Sequence, residues 1–249
     1  MRNAIVMAWL VLVGIGRADA VVLYDGGTGG LPTDQNWLFL TDPLQGGSAT
    51  QSPVPGGVRL TSPLSESAGY FNLLLPQMPV LPASGGFAVE FSMAILDEYH
   101  ATPDRAGFSV IVLNEAAVGV ELGFWEDRIW AQADQPLFTH AEEALVSTQR
   151  LIDYRLSFTA TDYRLEADGA LVLQGALRDY SAHSAPVYGT PNLLFFGDDT
   201  SSAGGAVELY RIAVTPIPVP EPSLPMLLLV AVAGRRMFHG FLFKQLLQG

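Results

Sequence analysis

A period of two restricts this chain more than any other feature. Between Asp104 and Glu143 three apolar runs follow one another: residues 107–113 (GFSVIVL), 118–125 (VGVELGFW) and 128–131 (RIWA). Successive strand side chains point to opposite faces. In the middle run Val120, Leu122 and Phe124 therefore share one face, and Glu121, Gly123 and Trp125 the other. This predicts a three-stranded antiparallel meander. The alternation recurs in residues 86–96 and 152–173, where Asp168-Gly169 is a hairpin-turn signal. Shorter strands are expected at 21–25, 37–40, 57–61, 69–75, 192–197 and 206–214, with Gly and Pro punctuation between them. Residues 142–149 have room for a helical turn at most, and no long helical period occurs between Val21 and Thr215. Roughly a dozen short strands with turn signals between them predict an all-β fold, a β-sandwich or jelly roll.

Charge narrows the partners. Residues 21–219 hold eight Arg and no Lys against 23 Asp and Glu, and the whole chain carries −12. Such a surface repels nucleic acid and anionic headgroups, and leaves neutral glycans, cations or basic partners. The absence of Cys excludes disulfide frameworks, thiolate zinc and a Cys nucleophile.

The two ends have their own character. Residues 1–20 read as a signal helix: Arg2, an apolar stretch over 4–15, then Ala18 and Ala20 as a small-x-small cleavage site. A β-sandwich domain is expected over 21–215. Residues 216–223 (PIPVPEPS) form a Pro-rich linker, 224–236 a short hydrophobic anchor helix closed by Arg235 and Arg236, and 237–249 a C-terminal extension. Pro220, Glu221 and Pro222, the apolar run and the Arg pair resemble the PEP-CTERM sorting signal. The resemblance implies export, transient anchoring in the inner membrane, and processing near Pro220-Glu221-Pro222 by an exosortase, often in bacteria that make exopolysaccharide. Two departures stand out. The 11-residue run makes only ~17 Å of helix against a hydrocarbon core of ~30 Å, and the chain continues beyond Arg236.

The succession of hairpins, with a closing strand near the end, resembles the concanavalin A-like (laminin-G-like) jelly-roll sandwich. That fold often carries carbohydrate or calcium sites. Segments including LYDGGTGGLPTDQNWLFLTDP, GVELGFWEDRIWAQ and TPNLLFFGDDTSSA resemble the choice-of-anchor Y domain of exported bacterial proteins. This resemblance implies a surface-held module and no particular activity.

Candidate sites follow from residue chemistry. Trp125 and Trp130, with Glu126 and Asp127 beside them, offer an apolar platform and a few polar groups, which is what a glycan site needs. The competing reading packs both rings inside the sandwich. Asp198 and Asp199, with Asp104 if the loops converge, are the candidate ligands for Ca2+, although Asp-Asp before Thr-Ser-Ser is also ordinary turn chemistry. No other cofactor is implied. Glu121 and Glu126 suggest a glycosidase pair, but a spacing of five puts them on opposite faces of a regular strand. His140 lies beside Glu142 and Glu143, while His100 and His183 have no ligand spacing. Arg105 and Arg178 are expected as internal ion pairs or loop anchors.

The expectation is an exported, non-enzymatic β-sandwich module without catalytic residues. It would be held at the cell envelope or released into the extracellular matrix, where it serves adhesion, glycan binding or matrix structure with a polysaccharide or matrix protein as partner. The alternative is a secreted glycan hydrolase or lyase on the same scaffold, which requires two carboxyl groups sharing one groove.

Overall fold

The computed structural model describes residues 19–42 and 47–217. Ala18, the rest of the signal segment, Pro220, Glu221, Pro222, Arg235, Arg236, the anchor and the extension lie outside the described residues. Ala20 is described and is exposed just before the first strand.

The strands in chain order are β1 (Val21–Asp25), β2 (Leu38–Asp42), β3 (Thr50–Val54), β4 (Gly57–Ser62), β5 (Ser67–Phe71), β6 (Gly85–His100), β7 (Ser109–Leu113) and β8 (Gly119–Phe124). They continue with β9 (Arg128–Asp134), β10 (Leu137–Leu145), β11 (Ile152–Thr159), β12 (Asp162–Ala167), β13 (Ala170–Ala176), β14 (Leu193–Asp198) and β15 (Ala203–Pro216). They form two antiparallel sheets. One has the order β13-β12-β11-β6-β15-β4-β3 with β1 also on β15, and the other β10-β9-β8-β7-β14-β5-β2. The all-β sandwich expected from the alternation is what forms.

The core lies between the sheets and is built by the predicted faces. Val120, Leu122 and Phe124 of β8 meet Phe91 of β6 and Tyr154 of β11. Phe91 stacks on Tyr154 at 5.0 Å and meets Phe196 edge-on at 5.4 Å. Phe87 stacks on Phe158 at 4.6 Å along the same sheet. Each fully buried aromatic or aliphatic side chain contributes ~1.5–3 kcal/mol of transfer free energy, so this layer dominates the stability. At the Asp168-Gly169 hairpin both residues have positive φ, 49° and 79°, the backbone that an Asp-Gly tight turn supplies.

The two outer faces differ. On the eight-stranded sheet the outer residues are charged and paired, as in Arg155 with Glu90 and Arg59 with Glu208. On the seven-stranded sheet β7, β8 and β14 are buried on both faces. A second apolar cluster explains this: Ile111, Leu113, Leu193 and Phe195 point outward from the sheet and are covered by Tyr180 and Tyr188. The covering segment is the long connection between β13 and β14.

Two local expectations are corrected. Residues 142–149 contain no helical turn; β10 runs through Leu145 and extends the meander to four strands. Its register shifts between Leu137 and His140 and again between His140 and Glu143. Those bulges break the alternation that a strand would otherwise write into the sequence. The indole platform is also absent. Trp130 is fully buried on the outer face, lying so close over Gly123 that a Cβ there would sit 2.5 Å from its Cζ2. Trp125 is half-buried, donates from Nε1 to the Arg105 carbonyl at 2.8 Å, and has His100 stacked on it at 3.9 Å. With Arg128 also over the ring at 5.0 Å, its surface is already occupied by the protein's own side chains.

Candidate functional site

The covering segment pairs with β8 directly. Gly119 N–H donates to the Arg178 carbonyl at 2.9 Å, and Arg178 N–H donates back at 2.7 Å. The Arg178 guanidinium pairs with Glu142 of β10, whose carboxylate also accepts from Tyr163 Oη at 3.0 Å. Two residues on, Tyr180 Oη accepts from Glu121 N–H at 3.2 Å and donates to the Gln132 carbonyl at 2.7 Å. A single phenol thus satisfies the backbone of β8 and β9 just beyond Leu122 and Ala131, the last residues of their ladder on that side. Tyr180→Phe should destabilise the protein by ~1–3 kcal/mol, because it strands a buried carbonyl and a buried N–H. The urea midpoint measures this; an unchanged midpoint would mean that the strands close on each other without the phenol.

Beside Tyr180 a pocket of about 280 Å3 opens on the outer face, lined by Arg105, Glu121, Gln132, Phe138, Tyr188 and Asp199 among others. Glu121 is 2 % exposed. Tyr188 Oη lies 2.7 Å from Glu121 Oε2 and 3.2 Å from Asp199 Oδ2, and the two carboxyls are themselves within hydrogen-bonding reach. A phenol has one proton to donate. Three oxygen groups in mutual contact therefore need a further proton, carried by a carboxyl. Burial pushes Glu121 well above the usual carboxylate range, and the Asp199 charge pushes it further. Burial and the same two carboxyls hold the Tyr188 phenol far above its ordinary value, so it acts as a donor and positioner. The cluster sets a fully buried acid with a raised hold on its proton, Glu121, against a half-buried partner, Asp199.

The rest of the lining holds this pair in place. Arg105 makes no ion pair with Asp104; its Nη1 donates to the carbonyls of Asp104 at 2.7 Å and Phe138 at 3.0 Å, and its charge opposes the upward shift of Glu121. Phe138 has φ of 57°, an unusual value for a bulky residue, and strain of this kind gathers at binding and active sites. Its ring lies 5.0 Å from that of His183 and 5.2 Å from that of Tyr188. Gln132 is 2 % exposed. Its Nε2 donates to the Asp104 carbonyl at 3.2 Å, which leaves Oε1 as a buried acceptor without a donor.

The residues singled out from sequence distribute differently. Asp198 and Asp199 point apart, as neighbours at a strand end do. Asp198 turns to Ser62 Oγ at 2.8 Å and Thr200 N–H at 3.0 Å, and burial pushes it up to about 9. Asp199 turns to Tyr188. Asp104 presents its backbone carbonyl, not its carboxylate, to Gln132 and Arg105. Among the described residues no group of three or more His, Asp or Glu is placed to hold a metal. Glu126 faces Gln149 at 2.8 Å and the Glu98 N–H at 3.3 Å, Asp127 pairs with Arg128 at 3.0 Å, and neither joins Glu121. His140 bonds Glu143 at 2.8 Å and stacks on Trp130 at 4.2 Å. Tyr188 carried no motif signal; an aromatic in a connection gives no notice that it returns to a strand 67 residues earlier.

Comparison with known proteins rests on structure. No family model matches the sequence, and no curated protein matches it. The conserved carbohydrate esterase of the Shiga toxin-encoding bacteriophage phi24B shares the fold with a TM-score of 0.55 and 13 % identity, over 80 % of this chain and 100 % of that one. A Bacillus subtilis protein with a galectin-like fold has a TM-score of 0.47 and 11 % identity over 80 % of this chain and 98 % of that one. The family 7 alginate lyase A1-II′ has a TM-score of 0.44 and 10 % identity over 81 % and 94 %. The expectation of a non-enzymatic module is corrected by these findings. The fold that this chain shares is one that a carbohydrate esterase also has, and the outer face of this chain holds a pocket with two carboxyl groups in contact.

Proposed function

We propose that this chain is an exported carbohydrate-active enzyme that hydrolyses a neutral glycan in the pocket around Glu121. One observation carries the reading: the Glu121–Tyr188–Asp199 cluster puts two carboxyls and one phenol in contact inside a pocket, with Glu121 buried and its hold on a proton raised, so a buried acid stands beside a second carboxyl. Carboxyls in contact act as one proton-carrying unit. In hydrolysis Glu121 gives its proton to the leaving glycosidic oxygen as the C–O bond breaks. Water bonds to the anomeric carbon and yields its own proton to solvent, from which Glu121 is recharged; Asp199, in contact with Glu121, lies too near it to act as a separate base across the bond. The carbohydrate class is supported by the shared fold of the phage carbohydrate esterase.

The pocket favours a neutral sugar. Gln132 Oε1 is a buried acceptor without a donor and calls for a hydroxyl or N–H donor from the ligand, and the Asp199 charge repels a uronate carboxylate. Elimination on a uronic acid, the lyase alternative, needs the opposite charge. Export, sorting at Pro220-Glu221-Pro222 by an exosortase and residence at the cell envelope or in the matrix belong to the same proposal, supported by the resemblance of the C-terminal residues to the PEP-CTERM signal.

The test is release of reducing ends from neutral, acetylated and uronate polysaccharides by the full chain. Cleavage of a neutral or acylated glycan is the expected result. Cleavage confined to uronates, with an unsaturated product seen in the ultraviolet, would overturn the hydrolytic reading.

A further inference from the structure

A second pocket of about 230 Å3 lies on the same face and shares Val187 and Asp199 with the first. Strand register connects the two. Phe71 of β5 pairs with Phe195 of β14, Phe195 with Ile111 of β7, and Ile111 with Glu121 of β8. These four residues form one row across four adjacent strands, and opposed residues on a sheet share a face. The row is apolar until it reaches the acid. Phe71 and Phe195 have ring centroids 4.8 Å apart, and Phe195 and Ile111 are buried while Phe71 remains half-buried. Leu40 of β2, paired with Gly69, is 37 % exposed at the far end. Gly69 leaves no room for a side chain, since a Cβ there would meet the Phe195 ring at 2.3 Å. This side of the pocket is carbon, with Thr41, Asp42 and Ser67 among the other lining residues, and such a wall offers a sugar ring few hydrogen-bond partners.

We infer that this second pocket is a subsite for an apolar substituent of the substrate, an acyl or alkyl group, held on the opposite side of Asp199 from the sugar. The inference rests on the proposed glycan-cleaving site and names the substrate class: a neutral glycan bearing an apolar group near the bond that is cut. The sugar meets Gln132 and the acid pair, and the substituent lies along Ile111, Phe195 and Phe71 towards Leu40. An unsubstituted glycan fills only the first pocket.

Calorimetric binding of octyl β-D-glucoside, kept below its micelle concentration, and of methyl β-D-glucoside to the full chain tests this without relying on turnover. The octyl compound should bind at least tenfold more tightly. Leu40→Trp, which fills the pocket, and Phe71→Ala, which removes its wall, should each reduce that preference to less than threefold, while Arg59→Gln, on the outer face of the eight-stranded sheet, leaves it intact. Equal affinity for the two glucosides, or an octyl preference unchanged in both pocket variants, would overturn the subsite. Octyl preference without cleavage of any glycan would retain the subsite and remove the catalytic reading, so the two failures are distinguishable.

Discussion

Glu121→Gln should lower the rate of glycan cleavage by ~10²–10⁴-fold, the range that a positioned general acid supplies, with little change in the fold. Glutamine matches glutamate in shape and keeps an acceptor for the Tyr188 hydroxyl 2.7 Å away, but has no proton to transfer. The pH profile adds a second signature. Cleavage needs Glu121 protonated, and its affinity for the proton is raised well above the ordinary value. Activity should therefore persist above the pH at which an ordinary glutamate ionises and fall at higher pH as Glu121 ionises. The Tyr188 hydrogen bond stabilises the carboxylate and opposes that rise. Tyr188→Phe should accordingly move the alkaline limb of kcat/KM to higher pH, which loss of packing alone would not do. A Glu121→Gln protein that cleaves at the wild-type rate would remove Glu121 from the chemistry.

The second large effect concerns stability. Asp198 is 1 % exposed, and burial raises it from 3.8 to about 9. Between those values the folded protein holds a proton that the unfolded chain has released. A group raised in this way contributes its stability below the unfolded value and loses it as pH climbs towards the folded one. The slope is ~1.4 kcal/mol per pH unit for one carboxyl, and Glu121 acts in the same direction. The wild-type protein should therefore be most stable on the acid side and weaken from about pH 4 to about pH 9. Carboxyls that are held low, such as Asp168 beside Arg150 and Glu208 beside Tyr210 and Arg59, act oppositely and in the acid range below their unfolded values. Asp198→Asn should flatten the alkaline fall by about that slope. Its carbonyl still accepts from Thr200 N–H, and its amide donates to Ser62 Oγ once that hydroxyl turns. Urea denaturation at several pH values measures this. Parallel profiles for the variant and the wild type would show that Asp198 ionises freely in the folded protein.

Much of the architecture was legible because one periodicity writes it. A strand with one buried face alternates, so Val120, Leu122 and Phe124, or Tyr154, Leu156 and Phe158, announce both the strand and its inner side. Turn chemistry at Asp168-Gly169 was equally local. β10 was hidden because its bulges interrupt the period. The two tryptophans were misplaced for a different reason. Alternation tells that Trp125 and Glu121 leave the core face, but not that side chains of other strands lie over the rings there, His100 and Arg128 on Trp125 and His140 on Trp130.

The site was legible only in pieces. Glu121 was visible as a carboxylate on a strand and Asp199 as half of an Asp-Asp turn. The pairing considered from sequence, Glu121 with Glu126, was the neighbour in the chain and not the neighbour in space. The sequence by itself determined the class of the fold and the inward face of most strands, since alternation depends on adjacent residues alone. It also determined the acidity that disfavours anionic partners. Only the tertiary structure decided which outer face is covered, brought Tyr188 back onto Glu121, and aligned Phe71, Phe195 and Ile111 in a row that ends at the acid. Those juxtapositions follow from strand order and register, which join residues more than 60 positions apart and leave no trace in any local pattern.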